Sequence, residues 1–422
     1  MLKKDVENLK TQYYGVPPYY LILRTDKTYC NMIKKFSFFL LMSSLIINVS
    51  AQIIDLDNAN KLFAEGEYSV SQNLYQNLLN DGENEDFLIY KPKIEFDYII
   101  GNPPYNSNGM KKVPTNNKLN KKQDGKTIWH SFIKRAVSLL KRNGGLVFIV
   151  PSIWMKPDKA EMYHYLTSYK LEKIKCLTNT KTNSIFSGEA QTPTCMFYLI
   201  NKKSTPSIQL YDKDANVYID YLLKNNQAIP IFGQKVMRKL TKFLSKAGCI
   251  KVHKTNMPSK TTILSPCRTD KCTYPNIKTC LLNGLDAKII INYSNIPQAF
   301  YKKNKLVLAH KMYGFPYIDY CGDYGISNRD NYVITDYTIK ELKILQSFFA
   351  TKTALYFFES TRYRMKYLEK YVFELIPNIL NLPDFPQEIT DESIAEYFGF
   401  DEEDQNNINS LHKKNYIFLP SI

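Results

Sequence analysis

The feature that most restricts this chain is an apolar run that stops at two consecutive prolines. Phe96-Asp-Tyr-Ile-Ile100 reads as a short buried strand, and Gly101-Asn-Pro-Pro-Tyr105 ends it abruptly. Proline lacks an amide hydrogen and fixes its own φ, so Pro103 and Pro104 cannot continue a central strand and instead make a stiff loop. Apolar residues then recur at helical spacing through Ile128-Trp-His-Ser-Phe132-Ile-Lys-Arg-Ala-Val137-Ser-Leu-Leu140, and Asn143-Gly144-Gly145 has the chemistry of a helix C-cap. Leu146-Val-Phe-Ile-Val150 reads as the next strand, and Glu85 to Tyr90 as one before the loop. Strand, loop, helix, strand is the unit of an open α/β sheet. Ligands bind such sheets beyond the carboxyl ends of strands, where Asn102–Tyr105 falls.

The residue types in that loop suit one kind of chemistry. An aromatic amine such as that of adenine is a poor nucleophile, because its lone pair is delocalised into the ring. A site that methylates it needs acceptors that hold both amine hydrogens and draw the nitrogen toward tetrahedral geometry. The side-chain oxygen of Asn102 and the carbonyl of Pro103 can do this together, with Pro103 and Pro104 preorganising them. Tyr105 can stack on a base flipped out of a duplex. The bland alternative is an ordinary proline-rich turn with an asparagine cap.

Several blocks in order make the resemblance specific. Residues 85 to about 200 resemble the catalytic domain of adenine-specific DNA methyltransferases of type II restriction-modification systems, in which a target-recognition domain follows. The resemblance implies a catalytic role for Asn102, Pro103, Pro104 and Tyr105, with S-adenosyl-L-methionine as cofactor and double-stranded DNA as partner. Asp86-Phe87 resembles the motif whose acid accepts from the cofactor's adenine amine. Phe132 resembles the aromatic that packs on that adenine, and Phe186 the second aromatic that sandwiches the target base; ordinary core packing is the alternative for both.

One part of the family pattern is missing. A glycine-rich turn that seats the methionine part of the cofactor should precede Asp86, because backbone must approach the ligand closely there. Residues 1–84 contain only Gly15, Gly66 and Gly82, none of them in such a turn. In its place, Met32 to Ala51 resembles a signal peptide, with a basic start, a short apolar core and small residues at its end. Residues 59–75 resemble part of one tetratricopeptide repeat, a unit that cannot bury its face without stacked neighbours.

Charge points the same way as the motif. The chain has 56 Lys and Arg against 40 Asp and Glu, a formal charge of +16, which favours polyanions. From Ile231 to Lys311 there are 16 Lys and Arg and only two acids, Asp270 and Asp286. A second basic stretch runs from Lys111 to Arg142, and residues 381–404 are acidic. Ile231 to Ala247 reads as a basic amphipathic helix, and Arg362, Arg364 and Lys366 as phosphate grips or a solvated helix face. A small helical cap is expected from Thr390. Eight cysteines without a C-x-x-C pair indicate reduced thiols; Cys267, Cys272 and Cys280 have no zinc-framework spacing, and no metal is expected.

The expected architecture is α/β: a partial Rossmann-like methyltransferase sheet, then a mixed α+β DNA-recognition domain, with a helical N-terminal appendage. The boundaries are 1–84 for the appendage, 85–205 for the catalytic part, 206–380 for target recognition and 381–422 for the acidic tail. The expected function is site-specific methylation of adenine in DNA within a restriction-modification system. A catalytically silent DNA-binding remnant is the alternative, followed by a methyltransferase for glutamine or an RNA amine and by an exported repeat protein. No nuclease core is evident. A cytoplasmic protein without a stable membrane partner is expected, and oligomeric state is not legible.

Overall fold

A computed structural model describes residues 87–89, 95–107 and 126–413, apart from positions 187, 189, 191, 284–285, 312–313 and 365–366, together with the strands Tyr19–Leu23 and Gln52–Ile53. Eight strands form the main sheet: β1 Tyr19–Leu23, β2 Gln52–Ile53, β3 Phe96–Asn102, β4 Leu140–Pro151, β5 Tyr169–Leu177, β6 Thr194–Lys203, β7 Ser207–Asp212 and β8 Val217–Leu222. Their order is β2-β1-β3-β4-β6-β5-β7-β8. β3 and β4 are parallel neighbours with Ile100 opposite Val147, so the helix between them, α1 Trp129–Leu139, makes the crossover. Trp129, Phe132, Ile133, Ala136, Val137 and Leu139 are its buried residues, which is the helical period seen in the sequence.

Four local expectations differ from what folds. Helix α1 ends at Leu139, and Leu140 is already extended, with φ −83° and ψ 137°. Gly144 and Gly145 therefore lie inside β4. Asn143 takes φ 66°, and the β3–β4 register slips between Phe96 and Tyr98, so the polar residues form a bulge. A Cβ on Gly145 would lie 2.7 Å from the Tyr98 ring and 2.8 Å from the Tyr198 ring, which is why glycine is needed there. The segment expected to be a strand at 85–90 contains a turn at Phe87–Ile89. The N-terminal segment expected to be helical places β1 antiparallel to β3, with Tyr19 opposite Asn102. Met32 to Ala51 and residues 59–75 lie outside the described residues. The helix expected over 231–247 is two helices, α4 Gln234–Thr241 and α5 Leu244–Ala247, the first starting after Gly233 at φ 78°.

The second half adds two four-stranded sheets. One has the order β10-β12-β11-β15, with β10 Leu264–Ser265, β11 Tyr274–Asn283, β12 Asp286–Ser294 and β15 Gly325–Ile326. The other has the order β14-β13-β16-β9, with β9 His253–Lys254, β13 Lys305–Ala309, β14 Tyr317–Asp319 and β16 Asn331–Ile334. Successive side chains on a strand face opposite sides, and β13 and β16 use both. Leu306, Leu308, Tyr332 and Ile334 join a large core that runs from Phe87 to Ile408. Val307, Ala309 and Val333 join a smaller core with Ile277, Cys280 and Ile326. The large core crosses the expected boundaries at 205 and 380, and the main sheet itself continues to Leu222.

Helices α6 Ile339–Phe349, α7 Lys352–Ser360, α8 Asp391–Phe398 and α9 Glu402–Asn409 complete the chain. The cap expected at Thr390 forms: its side chain accepts from the amide of Ser393, whose own side chain returns to Thr390. No helix among the described residues is long and apolar enough to cross a membrane.

Candidate functional site

Asn102 is the last residue of β3, so the strand itself aims the loop out of the carboxyl end of the sheet. Pro103 is buried and Pro104 half-buried, which holds the loop against the body of the protein. The loop is then clamped: Ile128 donates its amide to the carbonyl of Tyr105 at 3.2 Å, and Ser107 donates its amide to Lys126 at 2.8 Å. The side-chain oxygen of Asn102 is buried and accepts no hydrogen bond. Leaving such an acceptor unmet costs about 1–3 kcal/mol, and among the described residues no donor answers it.

Tyr105 and Phe186 come together, with ring centroids 6.4 Å apart at 66°. Phe186 follows α3 Asn179–Ile185, a helix capped by Thr178, whose side chain accepts from the amide of Lys181. The Tyr105 ring is half-buried, whereas its hydroxyl is fully buried without a partner. Burial, reinforced by the Cys195 thiol, raises the pKa of that phenol far above its ordinary value, so it stays protonated. Cys195 in turn accepts from the indole Nε1 of Trp154 at 3.0 Å.

The residues expected to hold a cofactor are placed differently. Phe87 and Phe132 stack on each other, with centroids 5.9 Å apart at 10°, and both are core residues. Asp86 lies outside the described residues. Cys272 and Cys280 are buried and Cys267 is exposed, and among the described residues no group of three His, Cys, Asp or Glu could hold a metal ion.

Arg362 corrects the reading of the basic residues after α7. The helix ends at Ser360, and Arg362 is neither a solvated helix face nor free to grip phosphate. It is 7% exposed, pairs with Glu359 at 3.0 Å and donates from Nη2 to the side-chain oxygen of Asn179 at 2.9 Å. Asn179 opens the helix that carries Phe186, so the second half of the chain braces the aromatic site. Sequence reasoning missed Asn179 and Glu359; the i,i+3 spacing of Glu359 and Arg362 was the only local signal. Lys366 lies outside the described residues.

A strand ending in an asparagine with an unmet acceptor, a double proline and a paired aromatic site is the arrangement read above as that of restriction-modification methyltransferases. The comparisons agree for part of the chain. Residues 25–186 match the model of the Eco57I restriction-modification methylase family. Over 89 residues the chain is 38% identical to the type II methyltransferase M.TthHB8I of Thermus thermophilus, covering 18% of this chain and 21% of that protein. The matched stretch thus spans about a fifth of that curated relative. Among solved structures, the type IIL restriction-modification enzyme MmeI in complex with DNA matches 75% of this chain and 54% of its own at 11% identity, with a TM-score of 0.32. The type IIG restriction endonuclease BpuSI matches 79% and 55% at 13% identity, with a TM-score of 0.29.

Proposed function

We propose that this chain acts on adenine in double-stranded DNA, presenting its exocyclic amine for methylation as part of a restriction-modification system. The single observation that carries the reading is the buried, unmet side-chain oxygen of Asn102 at the end of β3. One amine hydrogen is donated to that oxygen and the other to the carbonyl of Pro103. Both bonds strengthen as the nitrogen becomes tetrahedral, which is where they lower the barrier. The base itself is held between Tyr105 and Phe186, after leaving the duplex stack. S-adenosyl-L-methionine, when bound, supplies the electrophilic methyl group.

The second reading is a DNA-binding chain without catalytic activity. It is favoured by the absence of a glycine-rich turn in residues 1–84. Titration calorimetry with S-adenosyl-L-methionine separates the two, since micromolar binding by this chain excludes the silent reading. The decisive test is tritium transfer from labelled S-adenosyl-L-methionine to duplex DNA. Asn102→Ala is expected to reduce transfer by about 100-fold or more. Undiminished label in that variant would show that the site is wrongly assigned.

A further inference from the structure

A cluster of basic side chains stands at the same end of the sheet as Asn102, and among the described residues part of it makes no hydrogen bond. Lys156 follows the short 3-10 turn Ser152–Met155 beyond the carboxyl end of β4, next to β3. Arg364 follows Arg362, the residue that braces the Phe186 helix. Lys254 comes from β9, and His310 immediately follows β13. These four side chains, with Arg329, lie within electrostatic reach of one another.

The carboxylates of the cluster do not answer all of these charges. Glu369, 3% exposed, accepts from Lys156 at 2.8 Å and from the Nε of Arg364 at 2.9 Å. Asp158 also acts on Lys156. Lys254 feels Glu369 and the exposed Asp330 only through space, against Arg364 and Arg329. The Lys254 ammonium lies 4.3 Å from the centre of the Tyr332 ring and makes no hydrogen bond. His310 stacks on Tyr367 at 4.8 Å; its buried Nδ1 makes no hydrogen bond and lies 3.8 Å from the Asp330 carboxylate. The Arg364 side chain is 43% exposed; its Nε donates to Glu369, its guanidinium lies 5.4 Å from the centre of the Tyr367 ring, and no hydrogen bond from its two terminal nitrogens is seen among the described residues.

Burial without a partner disfavours charge on these groups. Burial pushes Lys254 down to about 8, and burial together with Lys254, Arg364, Lys156 and Arg329 pushes His310 down to about 3. A buried ammonium that makes no hydrogen bond, with Arg364 and Arg329 beside it, costs the fold stability, so an anion from outside is its natural complement. The planar fork of Arg364 suits two phosphate oxygens, with Lys254 behind it as a point charge.

We propose that Arg364 and Lys254, with His310 beside them, hold a backbone phosphate of the DNA strand whose base enters the Tyr105–Phe186 site. The proposal rests on the DNA reading above and assigns it a specific anchor. A phosphate fixed there sets where the target nucleotide can turn out of the stack, and it carries affinity without reading sequence.

The test is duplex binding by the full chain, followed by fluorescence anisotropy over a series of salt concentrations, for the unmodified protein, Lys254→Met and Arg364→Lys. Lys254→Met keeps the stem over Tyr332 and removes the ammonium. It is expected to bind a mixed-sequence duplex about tenfold more weakly at low salt, with the slope of log affinity against log salt shallower by about one. Its melting temperature should hold or rise, because the lost charge had no partner. Arg364→Lys should lose about threefold in affinity with the slope unchanged, since the charge stays and the fork goes. Unchanged affinity and slope in Lys254→Met overturn the phosphate anchor and leave the DNA reading standing. Failure of the unmodified chain to bind duplex removes the DNA reading. In that case, thermal stabilisation by inorganic phosphate over chloride at matched ionic strength, abolished by Lys254→Met, keeps the anion site; its absence removes that too.

Discussion

Two groups of cations in the second half of the chain meet opposite fates. On helix α4, Lys235 lies 2.5 Å from Glu403, and Lys239 pairs with Asp401 at 3.3 Å and with the buried Asp404. The acidic tail thus returns over the basic helix and neutralises it. Lys305 goes further: it is fully buried, donating to Asp319 at 2.5 Å and to the carbonyls of Phe300 and Lys303 at 3.1 and 3.0 Å. Lys254 and Arg364, by contrast, keep charge that the protein does not fully answer. A count of lysines along a sequence therefore measures the capacity for binding polyanions poorly. What matters is how many cations remain after the fold has paired its own.

That contrast can be broken or sharpened by experiment. The largest effect is expected from Glu369→Ala, which strips the buried Lys156 of its carboxylate and frees Arg364. Urea unfolding should show a loss of about 3–5 kcal/mol, the usual consequence of leaving one member of a buried pair alone. A change under about 1 kcal/mol would mean that water already reaches Lys156.

Asp404→Ala comes next. Asp404 accepts from the amide of Asp401 at 3.2 Å in the cap of α9 and holds Lys239. Its removal should cost about 1–3 kcal/mol and shift the melting temperature down. It should also strengthen duplex binding slightly, because Lys239 is released.

The smallest effect is a pH dependence. Lys254 titrates near 8 in the folded chain and near its ordinary 10.5 when unfolded. Between those values the unfolded chain holds more protons, so this group makes stability rise as pH increases from about 8 to 10.5. Below that window the unanswered charge weighs fully on the fold. The unmodified chain should therefore gain on Lys254→Met across the window, as followed by urea midpoints. Parallel curves would show that the ammonium is solvated in the folded state.

Much of the candidate site was legible in the chain. The apolar run before Asn102 forms β3, the segment from Trp129 forms α1, and Thr390 caps α8, because hydrophobic period and capping chemistry act within a few residues. The meeting of Tyr105 with Phe186, some eighty positions away, followed only from a family resemblance. Gly144 and Gly145 were misread as a cap, since the same glycines serve close approach when a ring packs across neighbouring strands. Arg362 was misread because its partners, Glu359 and Asn179, meet only when the end of α7 reaches α3.

The sequence by itself determined where a strand stops and which acceptors follow it, since two prolines forbid continuation whatever surrounds them. Only the tertiary structure decided which polar groups are met and which are left waiting. Pairing is a property of neighbours in space, and burial sets its energetic weight: the Lys305 ammonium is enclosed by its own acceptors, while among the described residues the Asn102 oxygen meets no donor and the Lys254 ammonium no acceptor.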